Sequence, residues 1–182
     1  SFCAPSGFPT WGSARAAQAV FAIEKDPSLA RILREELADG GVSNVEVVTA
    51  DVLEIDWGGL FPETGRPFTV FGNLPYNISS QVVVRLIASR RRIPRAVLMF
   101  QKELAARLKA APGGRDYGRI TAMLHYCAEV RRVAVVTASR FFPQPKVDSE
   151  VLGICFRPPP SDSARDEERL FQLIAAAFGQ RR

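Results

Sequence analysis

The chain of 182 residues is 47% hydrophobic and 24% charged, which argues against disorder and gives enough length for one domain with a real core. No apolar run approaches the ~18 residues of a membrane span, and no basic stretch followed by an apolar block opens the chain, so neither a membrane segment nor a secretory leader is expected. The net charge of +5 conceals a division: residues 1–84 carry 5 Lys/Arg against 10 Asp/Glu, and residues 85–182 carry 19 against 9. Two ligands of different charge are implied, with nucleic acid on the basic half.

Taken in order, residues 1–19 show no clear periodicity and are interrupted by Pro5, Gly7, Pro9 and Gly12, so an irregular segment is predicted. Residues 20–23 read as a short buried strand ending at Glu24. Pro27 then opens a helix reaching about residue 38, with Leu29, Ile32, Leu33 and Leu37 as its apolar stripe. Gly40 and Gly41 end it, and a second strand over 45–49 stops at Asp51. Residues 53–67, with Trp57, Gly58, Gly59 and Pro62, form a loop. The run 68–71 is a third buried strand, followed by a helix from Ile78 to about Arg90 that Asn77 or Ser79 is placed to cap. A strand over 96–100, helices over 102–108 and 120–126, and strands over 133–137 and 151–156 follow. Pro158, Pro159 and Pro160 read as a linker, and an amphipathic helix over 167–178 buries Leu170, Phe171, Ile174 and Phe178, with no partner foreseen inside the chain. Alternating strands and helices predict an α/β sandwich with a mainly parallel sheet, closed by an antiparallel pair.

The organising stretch is Gly72-Asn73-Leu74-Pro75-Tyr76-Asn77-Ile78-Ser79. Pro75 holds Leu74 extended, so an amide, a carbonyl and an aromatic ring gather at the mouth of a strand, where open α/β sheets bind ligands. An exocyclic amine on a base is conjugated and a poor nucleophile. Two acceptors, the Asn73 amide oxygen and the Leu74 carbonyl, suit its two N–H groups, and Tyr76 suits stacking on a base that has left its helix. An ordinary turn with a Tyr packed beneath it is the bland alternative. Cys3, Cys127 and Cys155 are odd in number and scattered, which suits free thiols in a reducing cytoplasm. With His125 the single histidine, no metal site is expected.

Asn73-Leu74-Pro75-Tyr76 resembles the catalytic motif of S-adenosylmethionine-dependent amino-methyltransferases. The longer string is similar to that of the bacterial small-subunit rRNA adenine N6,N6-dimethyltransferases of the kasugamycin-sensitivity family. Gln101-Lys102-Glu103, Tyr117-Gly118-Arg119 and the stretch 141–149 (Phe141, Phe142, Pro143, Gln144, Pro145, Lys146, Val147, Asp148, Ser149) follow in family order. The resemblance implies a Rossmann-like class I methyltransferase fold, with a methyltransferase domain over 20–157 and, over 158–182, a linker and the first helix of a C-terminal helical domain. It implies S-adenosylmethionine as cofactor and immature small ribosomal subunits as partner, in ribosome biogenesis in the cytoplasm. A monomer, without metal or membrane, is expected.

On this resemblance Asn73, Leu74, Pro75 and Tyr76 are catalytic, and Glu24 contacts the cofactor ribose. Asp51 holds the cofactor's adenine amino group, with Val52 covering the ring. Without the resemblance, Glu24 is an acid that starts the next helix and Asp51 a helix N-cap. Pro143 and Pro145 stiffen the 141–149 loop, so Phe141 or Phe142 becomes a fixed surface facing the target base opposite Tyr76, with alignment favouring Phe141. Arg90, Arg91, Arg92, Arg95, Arg107, Lys109, Arg115, Arg119 and Lys146 are candidate RNA contacts, the phosphate-directed ones adding affinity without reading sequence. The large-subunit dimethyltransferases of macrolide resistance and a non-catalytic RNA-binding assembly factor are the rivals. The family's glycine-rich loop precedes the acid matching Glu24. There this sequence has Cys3-Ala4-Pro5-Ser6-Gly7-Phe8-Pro9, so weak cofactor binding and inactivity of the isolated chain are expected, and neither the family's first strand nor its C-terminal domain is foreseen.

Overall fold

The computed structural model describes residues 8–57, 59–60, 67–158, 164 and 166–179. Helix α1 (Phe8–Ala16) leads into β1 (Val20–Glu24), α2 (Pro27–Asp39) and β2 (Val45–Thr49). Then come β3 (Thr69–Asn73), α3 (Ser79–Ala88), β4 (Arg95–Gln101), α4 (Lys102–Leu108), α5 (Arg119–Cys127), β5 (Ala128–Val136), β6 (Ser149–Phe156) and α6 (Glu167–Gly179). Among the described residues the strands form two sheets, β1–β2 and β3–β4–β6–β5. The first is parallel; in the second β3 and β4 are parallel, while β6 runs antiparallel to both β4 and β5. This differs from the mainly parallel single sheet expected of the sequence: among the described residues half of the ladders are antiparallel, and none joins β1 to β3.

Each sheet is covered by the helix its sequence pattern provides. On α2, Ala30, Leu33 and Leu37 are buried, and the two leucines pack with Ala22 of β1 as a small core of their own. Asp26 caps this helix, its Oδ1 accepting from the Ser28 and Leu29 amides at 2.7 and 3.3 Å. Arg34 reaches over the open edge of β2, donating to the Val47 carbonyl at 2.7 Å and to Thr49 Oγ1 at 2.8 Å. The buried face of α2 is therefore narrower than its apolar stripe, and Leu29 and Ile32 are 40% and 43% exposed. The main core joins Val82, Val83, Leu86 and Ile87 of α3 to Ala96, Leu98 and Phe100 of β4 and to Leu152 and Ile154 of β6.

Three further expectations are corrected. The segment read as irregular contains α1, because Asn44 Nδ2 donates to the Ala14 and Ala17 carbonyls at 2.8 and 2.9 Å and satisfies the helix end from a distant turn. Neither Asn77 nor Ser79 caps α3: its N-cap is Ile78, without a side-chain hydrogen bond, and Ser79 Oγ donates back to the Pro75 carbonyl at 3.0 Å. Helix α6 does have a partner. Its half-buried face meets α5, with Phe171 edge-on to Tyr126 at 5.9 Å and Phe178 at 6.2 Å from Tyr117.

The electrostatic anchor of α6 is Arg90, whose guanidinium pairs with Glu167, donates to the Ile87 carbonyl at 2.8 Å and lies 6.0 Å from the Phe171 ring centre. Its side chain is only 10% exposed. Removing it leaves a largely buried carboxylate without its counter-charge, a cost of about 3 kcal/mol. Urea unfolding should show that loss for Arg90→Ala, while Arg91→Ala, on the neighbouring surface residue, changes stability by less than about 0.5 kcal/mol. Equal effects would make the pairing unimportant.

Candidate active site

Glu24 ends β1, Asp51 follows β2 and Asn73 ends β3, so each stands at the carboxyl end of a strand that runs parallel to its neighbour. Glu24 is the last residue of β1, and its Oε1 accepts from the Asp26 amide at 2.9 Å. Asp51 follows β2. Its Oδ1 accepts from the Leu53 amide at 2.8 Å, and its Oδ2 lies 2.8 Å from the Lys25 ammonium. Both local readings of these acids are thus present, since each stabilises the turn that follows its strand. The hydrogen bond from Lys25, helped by the Leu53 amide, holds the Asp51 carboxyl below the usual carboxylate range, and the same contact raises Lys25.

Asn73 ends β3 opposite Met99 of β4 and is half-buried. Its side-chain amide makes no hydrogen bond among the described residues, and no backbone donor among them reaches the Leu74 carbonyl. Leu74 itself is buried as the plug of the turn, and the Ile78 amide donates to the Pro75 carbonyl at 3.2 Å. This is why the two acceptors stay open: the local turn satisfies itself through Pro75, Ile78 and Ser79. Tyr76 is 40% exposed, and its hydroxyl lies 3.5 Å from Ser149 Oγ, tying the motif to the start of β6.

That contact brings the second predicted stretch beside the first. The segment before β6 includes a single 3-10 turn (Ala138–Arg140), and Asp148 fixes its end: Oδ1 accepts from the Ala138 amide at 3.0 Å, and its carbonyl accepts from the Lys102 amide at 3.0 Å. Phe141 is half-buried, whereas Phe142 is fully exposed. Arg140 and Lys146 are exposed on the same loop.

The remaining predicted residues divide. Arg91, Arg119 and Lys146 are exposed and Arg92 half-exposed, and none of the four forms an ion pair among the described residues. Arg90, expected among the phosphate contacts, is instead committed to Glu167, and Lys109 is committed to Glu150. Val52, expected over a cofactor ring, is 3% exposed within the main core and offers almost no side-chain surface, its carbonyl accepting from Trp57 Nε1 at 3.0 Å. Lys25 was missed: its tie to Asp51 depends on the register that sets Glu24 against Thr49, which a single sequence does not display. His125 stacks edge-on against Tyr117 at 5.4 Å, on α5 rather than at the strand ends. Residues 1–7, where the glycine-rich loop was sought, lie outside the described residues, as do Gly58, Pro62, Pro159 and Pro160. Among the described residues no cluster of His, Cys, Asp and Glu suits a metal ion, and no helix is long and apolar enough to cross a membrane.

The depressed Asp51 carboxyl gives a pH test. Its folded pKa lies below its ordinary value of 3.8, so the pairing contributes stability above that value and loses it as the pH falls through the folded pKa. A carboxyl NMR titration should find the Asp51 midpoint below 3.8 and should find it raised in Lys25→Ala. A midpoint unmoved by that substitution would assign the shift to the Leu53 amide alone.

The same arrangement is found in known proteins. A family model described as ribosomal RNA adenine dimethylase matches residues 12–182. The chain is 47% identical over 176 residues to the ribosomal RNA small subunit methyltransferase A of Desulforapulum autotrophicum, covering 97% of this chain and 61% of that protein. To the protein of the same name from Alkaliphilus metalliredigens it is 37% identical over 171 residues, covering 93% and 59%. Among solved structures, a dimethyladenosine transferase from Plasmodium falciparum superposes with a TM-score of 0.84 at 29% identity, over 100% of this chain and 62% of that one. The 23S rRNA methyltransferase ErmE gives 0.74 at 31% identity, over 98% and 69%. The chain spans about three-fifths of the length of the curated relatives it matches. With the family model covering nearly all of it, and the strand ends carrying the motif in the same fold, the chain belongs to the ribosomal RNA adenine dimethylase family, on the class I S-adenosylmethionine-dependent methyltransferase fold.

Proposed function

We propose that the protein dimethylates N6 of two adjacent adenosines near the 3′ end of small-subunit rRNA during ribosome biogenesis, acting in the cytoplasm as a monomer without metal. The observation that carries this reading is a pair of acceptors that no described residue engages, the Asn73 amide and the Leu74 carbonyl, beside the half-exposed Tyr76 ring just after β3. Small-subunit methyltransferases at up to 47% identity favour this substrate over the large subunit, toward which the 31% likeness to ErmE points.

The donor set fits S-adenosylmethionine: two carboxylates, Glu24 and Asp51, suit ribose hydroxyls and an amino group, and neither suits an anionic ligand. When bound, that cofactor supplies an electrophilic methyl group. The protein's own work is to hold the amine. The Asn73 oxygen and the Leu74 carbonyl accept its two N–H groups, turning the nitrogen lone pair toward the methyl carbon, and Tyr76 holds the base face with Phe141 or Phe142 opposite. With the amine so held, the bound cofactor would supply the methyl carbon along the nitrogen lone pair, and the amine's surplus proton would pass to solvent without a basic side chain.

Two outcomes are expected. Asn73→Ala in the full-length protein should lower methyl transfer from labelled S-adenosylmethionine to immature small subunits by about 100-fold or more, because the amide's hydrogen bond acts in the transition state. Its melting temperature should stay within a few degrees; activity within about tenfold of wild type would remove Asn73 from catalysis. For the RNA face, Arg91→Glu combined with Arg92→Glu and Lys146→Glu should weaken binding to small subunits. It should also flatten the dependence of log K on log salt by about 0.7–0.9 for each phosphate no longer neutralised, and an unchanged slope would make these ordinary surface charges.

A further inference from the structure

Between α3, α4 and α5 lies a cavity of about 330 Å³ that plays no part in the mechanism above. It is lined by Arg107 and Arg119, by the polar Ser80 and Gln81, and by apolar side chains that include Val84 and Leu104. Among the described residues no carboxylate lines it. Both arginines are exposed, and neither guanidinium has an ion-pair or hydrogen-bond partner among the described residues. This contrasts with Arg90, Arg131 and Lys109, each of which is neutralised by a nearby acid.

One hydroxyl fixes the backbone that carries the two arginines. Thr121, 2% exposed, donates to the Arg107 carbonyl at 2.7 Å and accepts from the Gly118 amide at 3.4 Å, locking the start of α5 against the end of α4. A pocket with apolar side chains, two unneutralised guanidiniums and small polar groups matches one nucleotide: a base face on the apolar side chains, a phosphate on the arginines, sugar hydroxyls on Ser80 and Gln81. Its volume lies at the lower end of the range for small-ligand pockets.

Its position gives the reason for it. Ser80 stands in the first turn of α3, four residues after Tyr76, so the chain between them spans no more than about 14 Å. That distance is covered by one or two nucleotides on either side of a base held at Tyr76. We propose that this cavity is an accessory subsite for one nucleotide of the substrate RNA flanking the methylated adenine, with Arg107 and Arg119 holding its phosphate. The proposal rests on the reading that the protein acts on RNA.

The test uses the 182-residue chain with uridine 5′-monophosphate, inorganic phosphate and uridine as probes, followed at the amides of residues 118–121 by NMR. Saturable shifts with the nucleotide, weaker ones with either fragment, and their loss in Arg107→Ala/Arg119→Ala are expected. The double variant should also lower the salt slope for single-stranded oligouridylate binding by about 0.7, the share of the one phosphate that the two arginines hold. Gln81→Trp, which fills part of the cavity from α3 and leaves both arginines in the sequence, should reduce the nucleotide response as well, and it decides the matter if the double variant fails to fold. Equal shifts with inorganic phosphate would mean an adventitious ion only, and no shift with the nucleotide, or an unchanged slope, would overturn the subsite. Loss of methyl transfer to small-subunit RNA would count against the proposed function while leaving this nucleotide response unchanged.

Discussion

The structure depends on the register of β4. This strand is hydrogen-bonded on both sides, and Ala96, Leu98 and Phe100 on its alternate positions are almost wholly buried. On one side it sets Asn73 opposite Met99; on the other it sets Ser149 opposite Gln101. Strands β3 and β6, which carry the motif and the end of the aromatic loop, therefore lie two strand spacings apart, about 10 Å, on either side of β4. A slip of one residue would turn the buried face of β4 outward and would misplace both loops together, so core packing and site geometry are selected as one property.

Charge is distributed on the same plan. The acids at the ends of β1 and β2 make those strand ends suited to hydroxyls and amines, while the helices beyond β3 carry the cations. Structure refines the sequence count, because part of the basic excess is spent inside the molecule. Arg90 and Lys109 bind α6 and β6 through Glu167 and Glu150, Arg131 pairs with Glu129, and Arg157 donates to the Ala128 carbonyl at 2.8 Å. Among the cations without an acid partner are those flanking α3, α4 and the loop before β6. The bonded ones would contribute little to its binding, since their field is compensated within a few ångströms.

Most strands and helices were legible in the sequence, because their apolar periods match the buried faces. The α4 bounds coincide with the predicted ones, and α3 buries Val82, Val83, Leu86 and Ile87 as its pattern indicates. The motif at 72–79 was legible because proline and glycine restrict the backbone locally. What escaped depends on contacts between distant residues. Helix α1 is completed by Asn44, thirty residues from Ala14, and the roles of Arg90 and Val52 follow from what packs on them rather than from their neighbours in sequence. Leu29 and Ile32 fit the helical stripe, yet the narrow β1–β2 sheet is not wide enough to cover them.

The separation of the two sheets has a consequence for how the molecule breathes. The β1–β2 pair with α2 has a small core of its own in Ala22, Leu33 and Leu37, while Ile23 of β1 and Val52 join it to the main core. Elements with few buried residues open at lower free energy, so the outer part of this pair is expected to exchange its amide hydrogens before β4. Glu24 and Asp51 follow the strands of this pair, and Asn73 ends β3 of the other sheet. A molecule that touches all three would tie the two sheets together, and part of its binding free energy would go into suppressing local opening of the β1–β2 pair. Occupancy of the site and the rigidity of that half rise together, so cofactor affinity becomes a gauge of local folding as much as of contact chemistry.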